Sequence, residues 1–379
     1  MHKKILFLQN KGRSLGGVWQ VNRVVGEKLI EKGYDVSVVS LRNNPTDQEV
    51  EHDARLKIDT INKKELWGTY SFTEMKQMLK KGRLFTFVKM LFTRIHYEIT
   101  MKRDTRSLHC LINAEKPDHI ITTQYQLLDM IPKNYLATTI HEQHSDFVSA
   151  YKHKATRETL LKYNGKIKFL WLTKATMHAA SEVGFVNNSF IYNAVRFECE
   201  KTADVTNNKK LITICRLAEQ KNIQLMIEIV EEIFDDEKYK DWSLEIYGDG
   251  PLEKQLREQI TNRKQVKLMG NTNDPKSALL SSSINLNTSN FEGFAMSILE
   301  ANECGVPTIS LNFGESVYEQ IIDGETGMIC KDKQEYMTKL KELMLDQEKL
   351  KNLSKNCKEY SQIFHIEHII DDWIFLLES

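Results

Sequence analysis

The sequence predicts an α/β fold made of two doubly wound, parallel-sheet halves. Three observations predict it. In the second half, "KKLITICRL", "SLEIYGDG", "QVKLMGN", "SSINLNTS" and "PTISLNFG" are short β-rich runs separated by helical patterns, the rhythm of βαβ units. The first half repeats that alternation, starting with "KILFLQ" and a Gly-rich loop. Between the halves, "IYNAVRFECEKTADVTNNKK" (191–210) ends in an Asn-rich, strand-poor stretch that suits a linker.

Taken in order, "MHKKILFLQNKG" has an apolar run too short for a secretory h-region and reads as a buried first strand. The helix "GVWQVNRVVGEKLIEKG" follows, with Val18, Val21, Val25 and Leu29 on one face. "YDVSVVSL", "DHIITTQ", "LATTIH", "IKFLWLT" and "SFIYNAV" supply the later strands of this half. Residues 61–106 interrupt it as a helical insertion with eleven Lys/Arg and four Asp/Glu. In the second half the helices are "KNIQLMIEIVEEIF", "PLEKQLREQI" and "AMSILEANECG", with Pro251 at a helix start and Gly305 at a helix end. The domains expected are therefore 1–192, carrying the insertion, and 193–365. A last helix, 366–379, has room to pack back on the first domain.

The 379 residues are 41% hydrophobic with a mean hydropathy of -0.44, too polar for an integral membrane protein, and no apolar run nears spanning length. Lys plus Arg equals Asp plus Glu at 52 each, so only the local charge of the insertion hints at a partner. Mixed with Phe, Leu, Met and Tyr, it fits an anionic membrane surface or a polyanionic acceptor, or else a helix pair with a solvated basic face. The six cysteines show neither a C-x-x-C nor a metal-ligand spacing, and read as reduced thiols of a cytosolic protein.

Several constellations carry possible chemistry. Gly16 and Gly17 stand between the first strand and its helix, where free backbone N–H groups suit a phosphate. Gly12 and Gly17 have P-loop spacing, but Val18 and Trp19 occupy the Lys and Ser/Thr places, which argues against an NTPase. Arg216 ends a strand and Lys221 begins the next helix, two cations where parallel sheets bind ligands. Taken alone, a solvated loop explains them as well. The Asp249 turn in "IYGDGP" serves either a ligand hydroxyl or simple turn chemistry. His141 and His144 in "TTIHEQHSDF" lack the helical four-residue spacing of a zinc pair, and either one can face a cleft.

"SNFEGFAMSILEANECGVPTIS" holds Glu292 and Glu300. On one continuous helix they would stand ~12 Å apart along the axis. That is too far for a glycosidase pair. A helix starting near Phe294 instead leaves N–H groups from Phe294 to Met296 for an anion, with Glu300 available to a vicinal diol.

These segments together resemble the retaining glycosyltransferases of family 4, which have the GT-B fold. "EGFAMSILEANECGVPTIS" resembles their E-x7-E segment, "ITICRLAEQKNIQLMIEI" their Arg-x4-Lys segment and "LEIYGDGPLEKQL" their Gly-x-Gly-Pro turn. The Gly-Gly loop after the first strand resembles their N-domain loop, and the order runs along nearly the whole chain. The resemblance implies two Rossmann-like domains facing across a cleft, an acceptor-side first domain and a nucleotide-sugar-binding second. Arg216 and Lys221 would bind the diphosphate, Glu300 the ribose and Glu292 the donor sugar beside a developing oxocarbenium. Gly16 and Gly17 would approach the phosphates. Met269, Gly270 and Asn271 would lie beside the base, and Gly293, Phe294, Ala295 and Met296 would line the donor. The family's N-domain histidine maps to His141 or His144. His144 is favoured because "QHSDF" resembles a Glu-His variant of that loop, although Gln143 stands in the place of the Glu.

The expectation is a metal-independent, retaining hexosyltransferase without a cofactor, since the nucleotide-diphospho-sugar, UDP-linked, is a substrate. Catalytic roles fall to Glu292, His144, Arg216 and Lys221. The acceptor expected is a cell-surface glycan, teichoic-acid-like, lipid-linked or polyanionic, with no nucleic acid involved. The location expected is cytoplasmic, at the inner face of the membrane, with a peripheral contact through 61–106. The rival readings are a sugar-nucleotide epimerase or phosphorylase of the same fold, and a non-catalytic nucleotide- or glycan-binding regulator.

Overall fold

A computed structural model describes residues 3–11, 17–42, 52–62, 72–261 and 263–379. Two compact units make up the chain, Met1–Glu142 with Ala155–Phe169, and Gln143–Lys154 with Leu170–Ser379.

One sheet has seven strands: β1 (Lys4–Lys11), β2 (Asp35–Arg42), β3 (Lys57–Asn62), β4 (His119–Thr122), β5 (Thr139–Gln143), β6 (Lys168–Trp171) and β7 (Asn188–Phe190). Their order is β3-β2-β1-β4-β5-β6-β7, and the pairings of β1 with β2 and β4, β2 with β3, and β4 with β5 are parallel. Ile5 to Leu8 are wholly buried, because a central parallel strand is covered on both faces. The helices of this part are α1 (Gly17–Glu31), α2 (Phe72–Lys80), α3 (Leu84–Glu115), α4 (Phe147–Lys152), α5 (Lys154–Tyr163) and α6 (Lys174–Glu182). In α1, Val21, Val25 and Leu29 are buried as their spacing predicts, joined by Trp19.

The second sheet has six strands: β8 (Lys210–Ile214), β9 (Ser243–Tyr247), β10 (Val266–Gly270), β11 (Ile284–Asn287), β12 (Thr308–Leu311) and β13 (Gly327–Cys330). They run β10-β9-β8-β11-β12-β13, and each neighbouring pair is parallel. Around them stand α7 (Ile223–Phe234), α8 (Glu253–Gln259), α9 (Pro275–Leu280), α10 (Met296–Glu303), α11 (Lys333–Leu345), α12 (Gln347–Tyr360) and α13 (Ile366–Glu378). The core between sheet and helices holds Ile212, Leu244, Leu286, Ile227 and Tyr336.

Both sheets reverse strand order beside their first strand, so each has a switch point where α/β sheets bind ligands. The fold is therefore α/β with two Rossmann-like parallel sheets, as the alternation predicts. Two strands escape the sequence reading. The edge strand β3 is half-exposed along its length, and β13 closes the far edge of the second sheet. The second helix of the basic insertion runs past residue 106 to Glu115, and Ile61 and Asn62 close β3; residues 63–71 of the insertion lie outside the described residues. Among the described residues no helix is long and apolar enough to cross a membrane.

Candidate functional site

The carboxyl ends of β8 and β11 are adjacent, so the loops that leave them meet at the switch point of the six-stranded sheet. After β8 the chain passes Arg216, makes a one-turn 3-10 helix (Glu219–Lys221) and enters α7 through Asn222. Asn222 has φ 50°, a left-handed conformation that Asn tolerates better than most residues. Thr288, just past β11, donates to the carbonyls of Lys221 and Asn222, each at 3.1 Å, and Asn290 N donates to Gln220 O at 2.8 Å. These bonds fix the two loops together.

Glu292 is the centre of that junction. It is 6% exposed and lies in the loop before α10. Lys221 Nζ pairs with its Oε1, Ser289 Oγ donates to the same oxygen at 2.6 Å, and Gln220 Nε2 donates to Oε2 at 3.1 Å. The result is a negative charge whose position is held from three sides. Such a group can face a developing positive charge without reorganising. Arg216 is exposed at the same strand end. Burial pushes the neighbouring Cys215 thiol up to about 11, so it stays a thiol there.

The Gly-Asp-Gly turn after β9 has a backbone reason. A Cβ on Gly248 would lie 1.8 Å from Cys215 O, and one on Gly250 would lie 2.3 Å from Leu217 O. Both have positive φ, 133° and 155°. Leu217 N donates to Asp249 O at 2.7 Å, which ties this turn to the Arg216 loop. The Asp249 side chain accepts from Asn271 Nδ2 at 2.6 Å. Asn271 follows β10, whose last residues are the exposed Met269 and Gly270, the latter at φ 76°.

The helix after Glu292 starts at Met296, two residues later than the sequence suggests. Gln320 explains the delay. Its side chain accepts from Ala295 N and donates to Ala295 O, both at 3.0 Å, so Ala295 is bound outside the helix. Its N–H is not available to an anion. Phe294 is buried, stacked on Tyr192 at 5.9 Å between centroids. Asn193 Nδ2 contacts Met296 Sδ at 3.5 Å. Burial and the adjacent Glu319 carboxylate hold the Tyr192 phenol well above its ordinary value.

Glu300 is 1% exposed. Arg196 reaches it with a two-pronged contact, Nε to Oε1 at 2.6 Å and Nη2 to Oε2 at 2.7 Å. One turn on, Glu303 is fully buried and accepts from Lys358 Nζ at 2.6 Å, Cys199 N at 2.7 Å and Ser361 Oγ at 2.7 Å, with His365 Nε2 at 2.8 Å. Burial raises its carboxyl pKa, but these partners outweigh burial and hold it below the ordinary 4.5.

The two histidines separate clearly. His141 is fully buried in β5, Nδ1 3.1 Å from Thr122 O and edge-on to Phe169. It is a packed core histidine. His144 lies half-buried in the loop after β5, and a Cβ on Gly293 would lie 2.3 Å from its carbonyl oxygen. Gly17 is the first residue of α1; Gly16 lies outside the described residues.

The structure thus gathers Arg216, Lys221, Glu292, Gly293 and the start of α10 around one sheet end, with Met269, Gly270 and Asn271 two strands along. Sequence reasoning missed Gln220, Ser289 and Arg196. Gln220 was adjacent to a chosen lysine and could have been found. Arg196 lies 104 positions from Glu300, and no local pattern announces it.

Comparison with known proteins agrees with this frame. Residues 196–360 match the family described as glycosyl transferases group 1. An uncharacterized glycosyltransferase of Haemophilus influenzae is 25% identical over 387 residues, covering 98% of this chain and 99% of the relative. Among solved structures, Anabaena HepE in complex with UDP and glucose superposes with a TM-score of 0.72 at 17% identity, with all of both chains covered. A point mutant of S. aureus TarM in complex with fondaparinux, alpha-GlcNAc-glycerol and UDP gives 0.76 at 14% identity, again over both whole chains. The match to that family lies in residues 196–360, and the fold of the whole chain is like that of these solved structures.

Proposed function

We propose that this protein is a retaining, metal-independent glycosyltransferase of the family 4 kind. It moves a hexose or N-acetylhexosamine from a UDP-linked sugar to a cell-surface glycan or teichoic-acid-like acceptor. The observation that carries the reading is the held Glu292 carboxylate at the β8–β11 switch point, with Lys221 paired to it and Arg216 at the same strand end. Solved structures of like fold that hold UDP with a sugar or a glycosylated glycerol support the donor and acceptor classes.

In this reading, Arg216 and one or two of the three Lys221 N–H donors meet the diphosphate, where charge grows as the leaving group departs. The free N–H groups of the first turn of α10 add to that anion site. Glu292 faces the donor sugar, whose anomeric carbon becomes cationic while the acceptor attacks from the leaving-group side. Glu300 accepts from the ribose diol. A carboxylate has about four lone-pair sites, of which the two Arg196 contacts use two. His144 serves the acceptor side of the sugar. The nucleotide sugar is substrate, and no cofactor takes part. The protein works in the cytoplasm at the inner membrane face, with peripheral contact through 61–106.

A panel of UDP-, GDP- and ADP-sugars tests the proposal through thermal stabilisation and slow donor hydrolysis. Stabilisation and hydrolysis with at least one UDP-sugar is expected. No response to any donor would overturn it.

A further inference from the structure

We infer that the exposed face of α3 is a docking surface for an anionic lipid bilayer. Phe85, Val88, Phe92, Ile95 and Ile99 recur at intervals of three and four, so they form one stripe along the helix. Phe85 is 85% exposed, Phe92 68% and Ile99 63%, with Val88 and Ile95 also exposed. Single exposed apolar residues need no explanation, but a continuous stripe does. The stripe spans ~21 Å of helix. Over that length Met90 is the buried residue of α3; the later half is anchored by Thr100, Asp104, Leu108 and Ile112.

Charge selects the occupant. The stripe is bracketed by cations, with Lys80, Lys81 and Arg83 exposed before it and Lys102, Arg103 and Arg106 exposed after it. Arg103 and Arg106 continue the spacing of the stripe itself. The acids of this stretch of α3 are taken up within the protein: Glu98 with Arg94 at 3.1 Å, and Asp104, buried, with Arg42, while Arg103, 65% exposed, only approaches its other oxygen at 3.8 Å. A second copy fits poorly. Parallel pairing sets Arg103 against its own copy, and antiparallel pairing sets Lys80–Arg83 against Lys102–Arg106. A soluble polyanion would answer the cations and leave Phe85 and Phe92 in water. A bilayer with acidic headgroups answers both, the rings entering the headgroup–acyl boundary while the bracketing cations meet phosphate. The inference gives residues to the membrane contact proposed above. It stands apart from the transferase reading, because binding is measured without a sugar donor.

Sedimentation of the full chain with vesicles tests it. The protein should sediment with phosphatidylcholine vesicles doped with phosphatidylglycerol, not with phosphatidylcholine alone, and added salt should release it. F85S/F92S should weaken binding at least about tenfold, since both rings then lose their burial in the bilayer. R103Q/R106Q should weaken it and reduce the salt dependence. Donor hydrolysis should be the same in both variants as in wild type. Undiminished binding by F85S/F92S, or equal wild-type binding to uncharged vesicles, would overturn the inference. So would a wild-type dimer that F85S/F92S turns into a monomer. Vesicle binding without a response to any sugar nucleotide would sink the transferase proposal and leave this one standing.

Discussion

Arg196 and Glu300 meet through two parallel hydrogen bonds, 2.6 and 2.7 Å long, and the carboxylate is 1% exposed. The contact ties the stretch joining the two sheets to the middle of α10. Removing the guanidinium strands a buried charge. We therefore expect R196A to lose about 3 kcal/mol in chemical unfolding, and R196A/E300Q to regain part of that loss. A loss near zero for R196A would mean that the pair does not carry the charge of Glu300.

Arg216 and Glu292 should fail in different ways. R216A should weaken UDP binding and turnover together. E292A should keep UDP affinity while losing at least about a hundredfold in transfer, the scale of one lost electrostatic contact. Calorimetric titration with UDP beside a transfer assay separates the two. Full activity in E292A would remove it from the sugar site.

Gly293 has no room for a side chain, because the His144 carbonyl occupies the space. G293A should push the His144 loop away from Glu292, costing about 1–3 kcal/mol of stability. Turnover should fall more than UDP affinity, since the nucleotide contacts lie elsewhere in this reading. Wild-type turnover in a folded G293A would show that the close approach is dispensable.

Acid should act through Glu303. Its folded carboxyl titrates below the ordinary 4.5, so the unfolded chain takes up its proton first as pH falls. Its stabilisation is full above that ordinary value and is lost as pH drops through the folded value. Wild type should exceed E303Q in stability near neutral pH, and the gap should close in acid. A gap constant from neutral pH to below 4 would contradict the assignment.

Thiol labelling of the folded protein should mark Cys110 first, the one exposed cysteine, on α3. Cys330 is buried, and burial pushes its thiol up to about 12. Peptide mass spectrometry after brief maleimide exposure reads the order. Early labelling of Cys330 would indicate opening of the β13 edge.

The alternation of short apolar strands with amphipathic helices was enough to determine two parallel α/β sheets, because period-2 and period-3.6 patterns are local properties. Glu292, Arg216 and Lys221 were legible for a related reason: strand ends can be read, and ligand chemistry collects there. The tertiary structure decided what local pattern cannot carry. It separated His141 in the core from His144 beside Gly293. It delayed α10 by binding Ala295 to Gln320, 25 positions away. It also paired Arg196 with Glu300 across 104 residues. A buried charge takes whichever partner the fold brings within hydrogen-bond reach, and distance in space leaves no periodic trace in the chain.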